Sequence, residues 1–141
     1  MSAVALELPF AAPIRAIDGL EVSEVDGGLE LRAWKHVDPA EPYLPGHFPG
    51  FTVFPGVFVL ESVRQAVAAA LGAQDGVFCD LVAVRSVRFL APLLAGDTLA
   101  IDAFVPPRDG DEPFAVEATG RRGDGTIACK LSVELAYGAP A

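Results

Sequence analysis

Two residue types suited to proton transfer stand fourteen positions apart in this chain. His47 lies in Pro45-Gly46-His47-Phe48-Pro49-Gly50. A packed loop of this kind would partly desolvate the ring, which disfavours the imidazolium and leaves a neutral base. A single loop histidine is also compatible with a purely structural role. Glu61 follows, one of two charged side chains in an apolar run from Val57 to Leu71. It is either one half of an i,i+3 ion pair with Arg64 or an acid held protonated by an apolar pocket. Gln65, one helical turn on, shares the face of Glu61 and would orient the carboxyl group or satisfy a polar spot. Pro55-Gly56 opens the same run. Unpaired amides at a helix start carry the positive end of the dipole, and the Gly56 N–H could stabilise an oxyanion. The same dipeptide also serves as plain punctuation at a helix start. His36 has no assigned role. Phosphate-loop, dinucleotide, zinc-protease and nucleophile-elbow patterns are absent.

These residues need a frame. Between Asp38 and Pro55 stand Pro39, Pro42, Pro45, Pro49 and Pro55 together with Gly46 and Gly50, which forbids a regular element. Tyr43, Phe48, Phe51 and Phe54 in the same stretch argue for a packed, functional loop. Val57–Leu71 lacks Gly and Pro, is apolar nearly all round, and ends at Gly72; it reads as a core helix. Residues 1–20 read as an extended segment, followed by a short strand at Glu21–Val25 and a tight turn at Gly27-Gly28. Leu29, Leu31 and Ala33 then alternate with Glu30, Arg32 and Trp34, the period of a half-buried strand. Further strands are expected at Val77–Phe89, Thr98–Phe104, Phe114–Gly120 and Thr126–Ala136, with hairpin turns joining the last three. The expectation is one α+β domain spanning residues 1–141, with five to six antiparallel strands wrapped around one long central helix.

Composition narrows the function. The 141 residues are 52% hydrophobic and 21% charged, so a sizeable core is expected and disorder is excluded. The formal charge of −9 argues against nucleic acid as a partner. No run approaches the roughly 18 apolar residues of a membrane helix, and the N-terminus lacks a basic signal region. A cytoplasmic protein is expected. Cys79 and Cys129 are too few for a disulfide framework or a structural zinc site, and read as reduced and buried.

Glu41-Pro-Tyr-Leu-Pro-Gly-His47-Phe-Pro-Gly50, then Phe54-Pro-Gly-Val57, then Leu60-Glu61-Ser-Val-Arg-Gln65, resembles the FabZ-type 3-hydroxyacyl-[acyl-carrier-protein] dehydratases. Arg88-Phe89-Leu-Ala-Pro92 running to Gly96-Asp97-Thr98 also resembles a strand turn of that family, as do Leu8-Pro9 and Ile17-Asp18-Gly19 near the start. The likeness covers nearly the whole chain. It implies the hot-dog fold, a dimer or a trimer of dimers with sites between subunits, and loss of water from a 3-hydroxyacyl thioester to give a trans-2-enoyl thioester. It further implies His47 as general base, Glu61 as acid and the Gly56 N–H on the developing oxyanion, with Gln65 in support. No metal or redox cofactor is expected; the substrate rides on the phosphopantetheine of an acyl carrier protein. Phe48, Phe51, Phe54, Phe58 and Phe89 are expected to line the substrate tunnel. Arg85, Arg88, Arg121, Arg122 and Lys130 are expected to dock the acidic carrier. Arg64 departs from the family, which usually has a small apolar residue there; Leu90-Ala91 replaces residues that are often basic. Two other functions stay open: a weakly catalytic partner subunit of a heterodimeric dehydratase, and a hot-dog acyl thioesterase.

Overall fold

The computed structural model describes residues 2–3, 15–41, 44, 53–72, 78–108, 110 and 112–138. Strand β1 (Ser2–Ala3) is a two-residue edge. It is followed by β2 (Gly19–Val25), β3 (Gly28–His36), helix α1 (Gly56–Ala70), β4 (Phe78–Phe89), β5 (Thr98–Val105), β6 (Phe114–Arg121) and β7 (Ile127–Gly138). All pair antiparallel in one sheet of order β1-β2-β3-β5-β6-β7-β4. This is the expected hot-dog arrangement, with α1 packed on the inner face of β2, β3, β4, β5 and β7.

Period-two alternation builds that inner face. Leu31 and Ala33 on β3, Leu99, Ile101 and Ala103 on β5, Val116 and Ala118 on β6, and Leu131, Val133 and Leu135 on β7 are all buried. The helix sends Val59, Val63 and Ala66–Ala69 into them. Small side chains in its second half let the sheet approach closely. Leu71 closes the helix with its N–H on the Val67 carbonyl, and Gly72, at φ 77°, donates to Ala69. The expected stop at Gly72 is therefore present.

The β2–β3 turn differs from expectation by one residue. Its central residues are Asp26 and Gly27, at φ 50° and 78°, while Gly28 already pairs with Val25. Two successive positive φ values are what a primed hairpin turn requires, and Asp-Gly supplies them.

One edge of the sheet is unusual. Among the described residues, strand β4 pairs with β7 alone. Leu81, Val84 and Phe89 stand opposite the buried Leu135, Val133 and Cys129, yet are themselves 39%, 45% and 55% exposed. Their side chains share the face of those buried partners without being covered to the same degree. Among the described residues, no helix is long and apolar enough to cross a membrane.

Candidate active site

A buried helix can carry polar side chains only where each finds a partner. On α1, Ser62 and Gln65 share a partner in Ala16, in the segment leading into β2. Ser62 Oγ shares its single proton between the Ala16 carbonyl at 2.6 Å and the Phe58 carbonyl at 2.8 Å. The Ala16 N–H donates to Gln65 Oε1 at 2.8 Å. With its oxygen so engaged, the Gln65 amide must present its NH2 the other way, where Nε2 donates to Glu61 Oε1 at 3.1 Å. Gln65 thus does both things expected of it: it satisfies a buried polar spot and aims the carboxylate. Ser62, fully buried and spent on two carbonyls, is no nucleophile.

Of the two readings of Glu61, the ion pair is present. Arg64 Nε lies 3.0 and 2.9 Å from the two carboxylate oxygens, and Nη2 reaches Oε1 as well. Arg64 Nη1 donates to the Cys79 carbonyl on β4 at 2.9 Å, so the guanidinium also ties the helix to the free-edge strand. Its hydrogen bonds to Glu61 raise the Arg64 pKa above its usual value, burial opposing. The pair is accessible: the side chains of Arg64 and Glu61 are 23% and 28% exposed. Cys79 itself is buried, and desolvation pushes its thiol up to about 11.

An apolar cavity of about 430 Å³ opens at the start of the helix, walled by Phe54, Gly56, Val59, Phe89, Pro92 and Cys129 among others. The Phe89 ring lies so close over Gly56 that a Cβ there would stand 2.7 Å from its tip. Glycine is what admits this approach. Pro55 precedes the helix in extended conformation, and no side chain caps the first turn. Of the expected tunnel walls, Phe54 and Phe89 line this cavity. Phe58 does not: two residues along a helix is a rotation of about 200° from Gly56. Its ring packs instead against Phe54, with centroids 6.1 Å apart. Glu61, further along the helix, is not among the lining residues. His47, Phe48 and Phe51 lie outside the described residues.

The five expected docking cations separate into two groups. Arg85 pairs with Glu134, and Arg122 with Asp124 at 3.2 Å. Arg88 and Lys130 face each other across β4 and β7 on the outer side of the sheet, with Arg121 exposed on neighbouring β6. No ion pair engages these three among the described residues. Nor, among the described residues, is there a His/Cys/Asp/Glu group able to hold a metal ion.

One charged residue escaped the sequence reading. Lys35 is 4% exposed and continues the inward alternation of Leu31 and Ala33. Its Nζ lies 2.6 Å from Glu41 Oε1 and 3.6 Å from Asp18 Oδ1. Extending the strand period by two residues would have placed it inside.

Comparison with known proteins bears on the chemistry. Residues 24–127 match the family model described as ApeI-like, ApeI dehydratase. The 3-hydroxyacyl-[acyl-carrier-protein] dehydratase FabZ of Polynucleobacter necessarius subsp. necessarius is 34% identical over 134 residues, spanning 92% of this chain and 86% of the relative. The FabZ of Proteus mirabilis is 34% identical over 135 residues, spanning 92% and 87%. In fold, the chain is similar to the dehydratase heterocomplex ApeI:P of Xenorhabdus doucetiae (TM-score 0.64, 18% identity, 82% of this chain and 94% of that one). It is equally similar to a putative thioesterase, yhdA of Lactococcus lactis (TM-score 0.64, 13% identity, 89% and 94%). At such identities the two structures speak for the fold alone.

Proposed function

Because the chain belongs to the FabZ-type 3-hydroxyacyl-[acyl-carrier-protein] dehydratases, we propose that it removes water from a 3-hydroxyacyl thioester borne on an acyl carrier protein, in fatty-acid or polyketide/polyene synthesis. The observation that carries this reading is Glu61. It is the one carboxylate on the helix, partly open to solvent and hydrogen-bonded by a fully buried Gln65.

The C2 proton beside a thioester is weakly acidic, and its removal places charge on the thioester oxygen. His47 takes that proton; positioned general-base catalysis contributes typically about 10²–10⁴-fold. Glu61 delivers a proton to the departing hydroxyl. The Gly56 N–H, at the positive end of α1, meets the enolate-like oxygen, an interaction worth roughly 3–4 kcal/mol when well placed. The acyl chain occupies the apolar cavity walled by Phe54, Val59 and Phe89. No metal or redox cofactor takes part. The acidic carrier docks on Arg88, Lys130 and Arg121, since Arg85 and Arg122 are already neutralised. A second dehydratase-like subunit extends the sheet at the free edge of β4, covering Leu81 and Val84 and removing an exposed apolar edge.

Arg64 favours a second reading. The guanidinium occupies both carboxylate oxygens, so Glu61 can meet a substrate hydroxyl only where Arg64 lets go of it. A chain in which that grip persists serves as the weakly catalytic half of a heterodimer. The test is to incubate the purified chain alone with 3-hydroxyacyl carrier protein and follow acyl mass and free thiol together. Water loss without thiol release supports the first reading. Water loss only after a second dehydratase-like subunit is added supports the heterodimer. Thiol release without water loss contradicts both and indicates a thioesterase.

A further inference from the structure

A lysine side chain is seldom fully buried, and an ammonium in the interior is costly unless it is paired. The side chain of Lys35 is 5% exposed and faces two carboxylates from different directions. Asp18 approaches from the segment leading into β2, where its Oδ2 also accepts the His36 N–H at 2.6 Å. Glu41 approaches from the loop that leaves β3, at 2.6 Å from Nζ.

What lies beyond Glu41 gives this pair its consequence. The Glu41 N–H donates to the Asp38 carbonyl at 3.1 Å, and the Leu44 N–H donates to the Glu41 carbonyl at 3.1 Å. Leu44 is 1% exposed, so it plugs the loop into the core. His47 stands three residues further, no more than about 11 Å of extended chain. The loop is also tied at both of its ends to one turn, Leu93–Asp97. The Val37 N–H donates to the Asp97 carbonyl at 2.8 Å, and the Phe54 N–H to the Leu93 carbonyl at 2.8 Å. The Asp97 carboxylate holds that turn by accepting the Leu94 N–H at 2.7 Å. Between these two ends, Lys35–Glu41 is a side-chain anchor that reaches the loop from the buried face of the sheet.

We propose that Lys35 is a positioning residue for the dehydration reaction: its ammonium holds Glu41, and through Glu41 and Leu44 it fixes the start of the loop that carries His47. The proposal rests on the dehydratase reading of the site. It makes the two partners of Lys35 unequal in function. Both neutralise the ammonium, but Glu41 alone carries the loop.

The experiment compares Lys35→Met, Glu41→Gln and Asp18→Asn, each assayed at a temperature where circular dichroism shows it folded. Glu41→Gln and Lys35→Met should lower kcat about ten- to a hundredfold, the size expected when a catalytic group is displaced by roughly an ångström. Their effects should not add in the double variant, because they remove one interaction. Asp18→Asn keeps an acceptor for the His36 N–H and should leave kcat within about threefold. Lys35→Arg, which retains the cation, should recover part of the lost rate. Equal kcat losses in Glu41→Gln and Asp18→Asn would overturn the proposal, as would an unchanged kcat in Glu41→Gln. If the wild-type chain dehydrates nothing, the dehydratase reading fails by itself. Hydrogen exchange of peptides covering 38–44 then still decides. Faster exchange in Glu41→Gln and Lys35→Met than in Asp18→Asn supports the anchor, and equal exchange in all three contradicts it.

Discussion

Two cation–carboxylate pairs, one on β3 and one on α1, are built differently. Lys35 reaches Glu41 with side chains 5% and 18% exposed; Arg64 grips Glu61 with side chains 23% and 28% exposed. The first is enclosed and ties the inner face of β3 to the loop that leaves it, six residues on. The second is local, three residues apart on one helix, and open to solvent along its outer side. Removing one member of an enclosed pair withdraws the main counter-charge from the other, at a cost of about 3–5 kcal/mol. An accessible pair is screened and contributes about 0–1 kcal/mol. The difference separates a clamp, whose value is rigidity, from a grip that can let go. A proton-transfer site needs the second kind at the reacting carboxylate and the first kind at the base of the loop that carries His47.

The largest effect expected is catalytic. Glu61→Gln should lower kcat by about 10²–10⁴-fold while leaving the urea midpoint nearly unchanged, because its ion pair adds little stability. A loss of stability with retained turnover would place Glu61 in the clamp class and break the comparison.

Next comes the clamp itself. Lys35→Met should destabilise the fold by about 3–5 kcal/mol in urea unfolding, and Lys35→Met/Glu41→Gln should regain part of it, leaving only the partly exposed Asp18 carboxylate without its cation. A single variant that unfolds like the wild type would show that the lysine is better solvated than its burial indicates.

Cys79, whose carbonyl receives Arg64, sharpens the picture through pH. Its thiol is pushed from 9.0 to about 11 in the folded chain, chiefly by desolvation. The folded state therefore holds this proton more tightly than the unfolded state. Its contribution is complete below pH 9 and is lost as pH rises from 9 towards 11. Urea titrations in that window should show stability falling with pH, and Cys79→Ala should flatten the slope. An identical slope in the variant would refute the assignment to this thiol.

The smallest effect belongs to Arg64. Arg64→Met should change stability by less than about 1 kcal/mol. It should also raise dehydration at neutral pH, since it frees Glu61 from a guanidinium. Lower turnover would mean that Arg64 contributes to the reaction directly rather than restraining it.

How much of this could be read in the sequence depends on the range of each interaction. The helix, its stop at Gly72 and the strands follow from local periodicity and breakers, and the hairpin at Asp26-Gly27 was displaced by one residue only because Gly27-Gly28 carries a similar signal. The Glu61–Arg64 pair was visible as one of two readings because it spans three residues. The hold of Ser62 and Gln65 on Ala16 was not visible, since it joins positions 46 and 49 residues apart. Neither was the loss of Arg85 from the docking set, which depends on the register that brings Glu134 beside it. Lys35 is the instructive case. The alternation Leu31, Ala33 pointed inward to it, and only its charge discouraged following the period through.

The central claim is that an imidazole and Glu61 exchange protons with a 3-hydroxyacyl thioester. The most direct measurement is mass spectrometry of a 3-hydroxyacyl carrier protein incubated with the wild-type chain, His47→Ala and Glu61→Ala, each confirmed folded. The wild type should convert the substrate to a species lighter by one water, and both variants should leave it unchanged over the same time. Turnover that survives both substitutions would contradict the account.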